Sequence, residues 1–192
     1  MEGSKLNIRE RIKKQITKLD AQRLELLIAQ LADNLLSFLK TNGSREVAIY
    51  WPMPLEIDIK PIIITLSRQG YKLSLPCTNK VLSSLTFRRY NLGDELITPP
   101  HWPNLKEPSS AKPQIIPGVI ITPLLAFDAE LNRLGQGKGF YDYTFAQYNK
   151  KGLNICKLGL ALEMQKVEKL PTCDHDIRLD AIITEKLIRL GS

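Results

Sequence analysis

Histidine and cysteine are scarce, with two and three residues in a chain of 192. The cysteines, Cys77, Cys156 and Cys173, stand far apart and form no paired spacing. That excludes a disulfide-stapled scaffold and a CxxC redox motif, and fits reduced thiols. One local cluster of ligand-type residues exists, Cys173, Asp174, His175 and Asp176, but it is too crowded for a zinc site, and His101 stands alone. Long apolar runs are also missing: "IIIT" and "GVIITPLLAF" fall far short of the roughly 20 residues a helix needs to cross a bilayer. The N-terminus, "MEGSKLNIRERIKKQ", has no apolar core, so no secretory signal is expected and the expected compartment is the cytoplasm. No RGG, lysine run or aromatic-basic tract marks a nucleic-acid platform.

What is present is an ordinary globular composition, 43% apolar and 24% charged, in a length that suits one domain. Basic residues outnumber acidic ones 27 to 20, for a net charge of +7. That excess calls for an anionic partner: nucleic acid, acidic lipid or an anionic small molecule.

Ile8, Ile12, Ile16 and Leu19 recur at helical spacing, predicting an amphipathic helix from about 5 to 19. Asp20 can cap a second helix carrying Leu24, Leu27, Leu31, Leu35 and Leu39, which "TNGS" stops. "EVAIYWP" predicts a short buried strand; "IDIKPIIITLSRQG" predicts a helix with Asp58 as cap, Pro61 in its first turn and Gly70 at its end. "YKLSLP" and "SLTFRRY" look like strands, and the proline-rich stretch from 91 to 116 like a long loop of the functional kind. "GVIITP", "ICKLGLAL" and "DAIITE" are further apolar strands, with a helix over "FYDYTFAQYNKKG" between the first two. Strands alternating with helices predict a single-domain α/β fold: a three-layer open sheet, mostly parallel, with helices on both faces, Rossmann-like. In such sheets ligands bind outside the carboxyl ends of the strands, where the segment after "GVIITP" would lie.

That segment is "RLGQGKGFYDY", residues 133 to 143, with glycines at 135, 137 and 139. Glycine allows positive φ and lets backbone N–H groups approach a ligand with no Cβ in the way. Fed into a helix N-terminus, such a turn aims its amides and the positive helix end at one point. Arg133 and Lys138 add full charges, and Asp142, one turn into the helix, can hold Mg2+ against phosphates. A Walker loop would need a wider glycine spacing and a hydroxyl after the lysine; a dinucleotide fingerprint would need glycine at Phe140. Neither fits.

"RLGQGKGFYD", preceded by "TPLLAFD", resembles the "RLGxGxGYYD" signature of the 5-formyltetrahydrofolate cyclo-ligases (5,10-methenyltetrahydrofolate synthetases). "KLNIR", "VAIYWPMPLEID", "LKEP", "LGLALEMQ" and "LPTCDHDIRLDAIITE" are similar to the family's other motifs, in order and nearly end to end. The resemblance implies an enzyme that uses ATP and Mg2+ to close 5-formyltetrahydrofolate to 5,10-methenyltetrahydrofolate, releasing ADP and phosphate through a phosphorylated formyl (iminophosphate) intermediate.

It further implies roles for particular residues. Lys5 and Arg9, at i and i+4 on one helical face, would contact ATP phosphates. Arg133, Leu134, Gly135, Gln136, Gly137, Lys138, Gly139, Phe140 and Tyr141 would form the ATP loop, with Lys138 and Arg133 stabilising the transferring phosphoryl group. Gln136 to Phe140 would also face the folate, together with Trp51 and Glu56, whose carboxylate can accept the pterin's N–H groups. Asp142 and Asp180 would hold Mg2+. The implied partners are small molecules, including a folate that can carry an anionic polyglutamyl tail, for a monomer with no membrane or nucleic-acid partner. Gln136, Phe140 and Tyr143 depart from the family's common aromatic or arginine, tyrosine and arginine. With the +7 charge, they leave one alternative: a catalytically lapsed basic module that binds nucleotide, folate or RNA.

Overall fold

The computed structural model describes residues 2–54, 56–79 and 83–191. Helices α1 (Glu2–Ile16) and α2 (Ala21–Asn42) lead to strand β1 (Glu46–Ala48), helix α3 (Lys60–Arg68) and strands β2 (Lys72–Cys77) and β3 (Thr86–Tyr90). Three two-residue strands, β4 (Leu96–Ile97), β5 (Glu107–Pro108) and β6 (Gln114–Ile115), punctuate the proline-rich stretch expected to be plain loop. Then come β7 (Val119–Thr122), a hairpin of β8 (Ala126–Phe127) and β9 (Arg133–Leu134), helix α4 (Phe140–Lys150), and strands β10 (Cys156–Leu160), β11 (Ala181–Ile183) and β12 (Ile188–Leu190).

Eight strands form one sheet in the order β12-β11-β10-β7-β1-β2-β3-β6. The five from β11 to β2 run parallel, and β12, β3 and β6 are added antiparallel at the edges. A parallel neighbour needs a crossover of about a dozen residues or more. Residues 78–85 and 184–187 are too few for that, so β3 and β12 double back.

Alternate residues of the central strands feed two cores. Val47, Val119, Ile121, Leu158 and Ile183 pack with Ile12, Leu31, Leu35 and Ile62 from α1, α2 and α3. Ala48, Ile120 and Ile182 pack with Phe145 and Tyr148 of α4 on the other face. The three-layer, mostly parallel expectation therefore holds, and the reason is visible in runs such as "VIIT", apolar on both faces.

Local signals account for most boundaries. Asp20 Oδ1 accepts the Arg23 N–H at 2.8 Å, and Gly43, at φ +80°, closes α2. Two expectations shift. Helix α1 stops at Ile16, with Lys18 and Leu19 donating to Gln15 and Ile16 in tighter turns. The N-cap of α3 is Ile59, one residue later than expected, and Asp58 Oδ1 accepts the Lys60 N–H at 3.0 Å from the position before it.

The chain leaves β1 for α3 on one face and leaves β7 for α4 on the opposite face, while β1 and β7 are neighbours. That is a topological switch point, where a crevice opens beyond the strand ends. The segment after β1 and the glycine-rich segment beyond β7 both emerge there.

Candidate active site

Two turns bracket β9, and they are built differently. The first, at 128–132, closes on a buried carboxylate. Asp128 Oδ1 accepts the Glu130 and Asn132 N–H groups at 3.0 and 3.1 Å; Oδ2 accepts Asn132 Nδ2 at 2.9 Å and the Leu170 N–H at 3.1 Å. The hairpin is thereby rigid before the second turn, at 135–139, begins.

In that second turn Gly137 and Gly139 take φ values of +98° and +70°, the left-handed region that glycine enters without penalty. A Cβ at Gly137 would also stand 3.0 Å from Arg9 Nη2, so the guanidinium lies close over the turn. Gly139 is the N-cap of α4, and no side chain among the described residues caps that helix start. An uncapped helix N-terminus fed by glycines is a ready anion site.

Lys5, Arg9 and Lys13 form a cationic stripe on α1, one turn apart, and the last two reach this turn. Arg9 Nε donates to Gly135 O at 2.9 Å and Lys13 Nζ to Gln136 Oε1 at 3.2 Å. Lys5 Nζ pairs with Asp176 Oδ2 at 2.9 Å. Burial pushes the Asp176 carboxyl up, but the hydrogen bonds from Lys5 and the Cys173 N–H and the Lys5 charge outweigh it and hold it below the usual range. Of the two α1 cations expected to meet phosphate, one grips the glycine turn and the other holds a carboxylate.

Arg133 and Asp142 form the most buried ion pair of the site, Nη2 to Oδ1 at 2.8 Å, with side chains 7% and 14% exposed. The same oxygen accepts the Ile177 N–H at 3.1 Å. Arg133 Nε is buried with no hydrogen-bond partner among the described residues. Such an orphaned donor is costly unless a ligand completes it. The Arg133 guanidinium also lies 5.8 Å from the Tyr141 ring. Burial, then the nearby Glu56 charge, push the Tyr141 hydroxyl far above its ordinary value, so it stays a neutral donor.

Asp180 takes a different set of partners. Its Oδ2 accepts the Lys157 N–H at 2.7 Å and its Oδ1 pairs with Lys157 Nζ at 2.9 Å; the side chain is 46% exposed. Asp142 and Asp180 share no partner, and the described residues contain no group of three or more His, Cys, Asp or Glu side chains that could cage a cation. Asp142, in the first turn of α4, is the more buried of the two, whereas Asp180 is half-exposed and held by Lys157.

On the other side of the turn stands Glu56. Its Oε2 accepts the Met53 N–H at 3.0 Å, and Gln136 Nε2 donates to Oε1 at 3.4 Å. Burial raises the Glu56 carboxyl above its ordinary value, against the lowering effects of Met53, Gln136 and Lys13. Trp51 packs edge-on to Tyr90 at 6.0 Å with Lys60 Nζ 5.7 Å over its ring. It is half-buried and packs against the core.

Sequence reasoning passed over Trp102, although "HWPN" in a proline-rich loop was a signal for an ordered aromatic. Its Nε1 donates to Asn79 O at 3.1 Å, its ring meets Phe140 edge-on at 5.1 Å, and Lys138 Nζ lies 5.7 Å from it. Phe140, where a tyrosine was the common residue, thus serves as packing for the loop above it. Lys138 is exposed apart from that ring, and Tyr143 is exposed with its ring against Gly139. His175 is exposed beside Asp176.

A sequence profile of the 5-formyltetrahydrofolate cyclo-ligase family matches residues 1–185. The chain belongs to that family. A 5-formyltetrahydrofolate cyclo-ligase of Haemophilus influenzae is 32% identical over 178 residues, 90% of this chain and 91% of the relative. One from Escherichia coli K12 is 32% identical over 160 residues, 81% and 86% of the two chains. In structure the chain is similar to the 5,10-methenyltetrahydrofolate synthetase of Aquifex aeolicus, with TM-score 0.78 and 27% identity over 97% of this chain and 92% of that one. Membership bears out the resemblance carried by the glycine-rich signature and the motifs around it. No described helix is long and apolar enough to cross a membrane.

Proposed function

We propose that this chain catalyses the ATP- and Mg2+-dependent cyclisation of 5-formyltetrahydrofolate to 5,10-methenyltetrahydrofolate, releasing ADP and phosphate. The observation that carries this reading is the Gln136–Glu56 contact at 3.4 Å. It joins a nucleotide-type glycine turn to a half-buried carboxylate suited to a pterin, although 80 residues separate them. A phosphoryl donor and its acceptor must meet in line, so a site for both within one side chain's reach supports the chemistry.

A formamide oxygen is a poor leaving group. Its attack on the γ-phosphorus displaces ADP and leaves an iminophosphate. Nitrogen 10 then adds to the activated carbon, its proton is lost, and the C–O bond breaks to release phosphate. In this reading the free N–H groups around Gly137 and Gly139 bind phosphate oxygens, and Arg9 fixes the turn. Lys138 and Arg133 neutralise charge on the transferring group, with the orphaned Arg133 Nε as one donor. Lys5 exchanges Asp176 for phosphate. Mg2+, when bound, would screen the phosphates, held by Asp142 and, once it releases Lys157, by Asp180. Glu56, Trp51 and the Gln136 to Phe140 turn orient the folate.

The test is spectroscopic: methenyltetrahydrofolate absorbance should appear from the 5-formyl compound only with both ATP and Mg2+. Tight ligand binding with no ATP consumed would instead favour a lapsed binding module. Asp142→Asn should raise the Mg2+ needed for half-maximal rate more than Asp180→Asn does. The reverse order would transfer the metal role to Asp180.

A further inference from the structure

The third cation of the α1 stripe, Lys13, has no part in the proposed reaction. Lys13 Nζ donates to Gln136 Oε1 at 3.2 Å, and Gln136 Nε2 donates to Glu56 Oε1 at 3.4 Å. An ammonium has only donors and a carboxylate only acceptors, so the amide between them can face only one way. Its dipole is aligned by a positive charge at one end and a negative charge at the other, in a half-buried setting where such chains strengthen one another. The Lys13 charge is felt at the far end, since it counts among the influences that lower the Glu56 carboxyl. Arg9, one turn earlier, pins the backbone of the same turn at Gly135, so α1 sets both the course of the turn and the rotamer of its first side chain.

We infer that Lys13 is a positioning residue for the folate: through the Gln136 amide it orients the Glu56 carboxylate and ties the nucleotide turn to the pterin side of the site. The inference rests on the cyclo-ligase reading and deepens it. Two alternatives lead to different measurements. Lys13 as a direct phosphate ligand would affect ATP, and Lys13 as a mere solvated helix charge would affect neither substrate.

The experiment compares wild type, Lys13→Met, Lys13→Arg and the double variant Lys13→Met/Gln136→Arg. Each is assayed for KM towards both substrates, and for 5-formyltetrahydrofolate binding by calorimetry in the presence of a non-hydrolysable ATP analogue. Lys13→Met should weaken folate roughly tenfold, the effect of losing one charge-assisted hydrogen bond, with KM for ATP changed by less than about twofold. Lys13→Arg should keep folate affinity. The double variant should recover most of it, because a guanidinium at 136 can donate to Glu56 directly. Unchanged folate affinity in Lys13→Met, a rise confined to ATP, or no recovery in the double variant would each overturn the inference while wild-type turnover leaves the cyclo-ligase reading standing. A wild-type chain that never cyclises the substrate overturns that reading, and this inference with it.

Discussion

The turns on either side of β9 make opposite use of their polar groups. At 128–132 the Asp128 carboxylate, 1% exposed, takes up four donors and closes the turn on itself. At 135–139 the chain spends three of five positions on glycine, leaves α4 without a side-chain cap, and is held from outside by Arg9 and Lys13. A turn that satisfies itself has nothing left for a ligand. One that is braced externally has N–H groups that donate to none of the described residues, and the closed turn supplies the base from which the open one projects.

The contrast breaks most visibly at Lys138. Lys138→Ala should lower kcat by roughly 100- to 1000-fold, as removal of a charge-stabilising donor does, with an unchanged urea midpoint. A destabilised but active variant would make Lys138 a structural residue. Asp128→Ala should do the reverse. Orphaning buried N–H groups should cost about 3 kcal/mol or more in urea unfolding, while the folded fraction keeps near-normal kcat. Loss of kcat at full stability would erase the distinction between the turns.

Gly137→Ala tests the open turn's backbone. The added Cβ needs a left-handed φ and crowds the Arg9 guanidinium at 3.0 Å, so stability should fall by about 1–2 kcal/mol and KM for ATP should rise. A variant with wild-type KM would mean that the turn does not approach the nucleotide.

The smallest effect concerns pH. Burial raises the Glu56 carboxyl, so the native state holds that proton more tightly than the unfolded chain does. Its contribution to stability is full below the ordinary glutamate value and is lost as pH rises through the folded value. Glu56→Gln lacks this loss, so its stability relative to wild type should grow with pH across that window and then level off. Parallel curves would show that the carboxylate is not strained by burial.

Much of the site was legible from residue order alone. "RLGQGKGFYD" announces bare backbone, cations and a helix start, and each is found there. Residue order does not show which protein group each charge meets in the fold. Lys5 and Arg9 share the predicted face, but a neighbouring carboxylate and a carbonyl occupy them. The family resemblance pairs Asp142 with Asp180, and in the fold they take Arg133 and Lys157 as separate partners. The "HWPN" signal did not say what Trp102 meets, because its neighbours, Lys138 and Phe140, are remote in sequence.

By itself the sequence determined the main helices and central strands and the class of chemistry. Hydrophobic periodicity, caps and glycine φ are local, each decided within a few residues. Only the tertiary structure decided which side of the sheet each helix covers, and hence that β1 and β7 open a crevice between them. It also decided that Lys13, Gln136 and Glu56 form one line. Those are contacts across 80 to 123 residues, and a hydrogen bond answers to distance in space, which no spacing along the chain encodes.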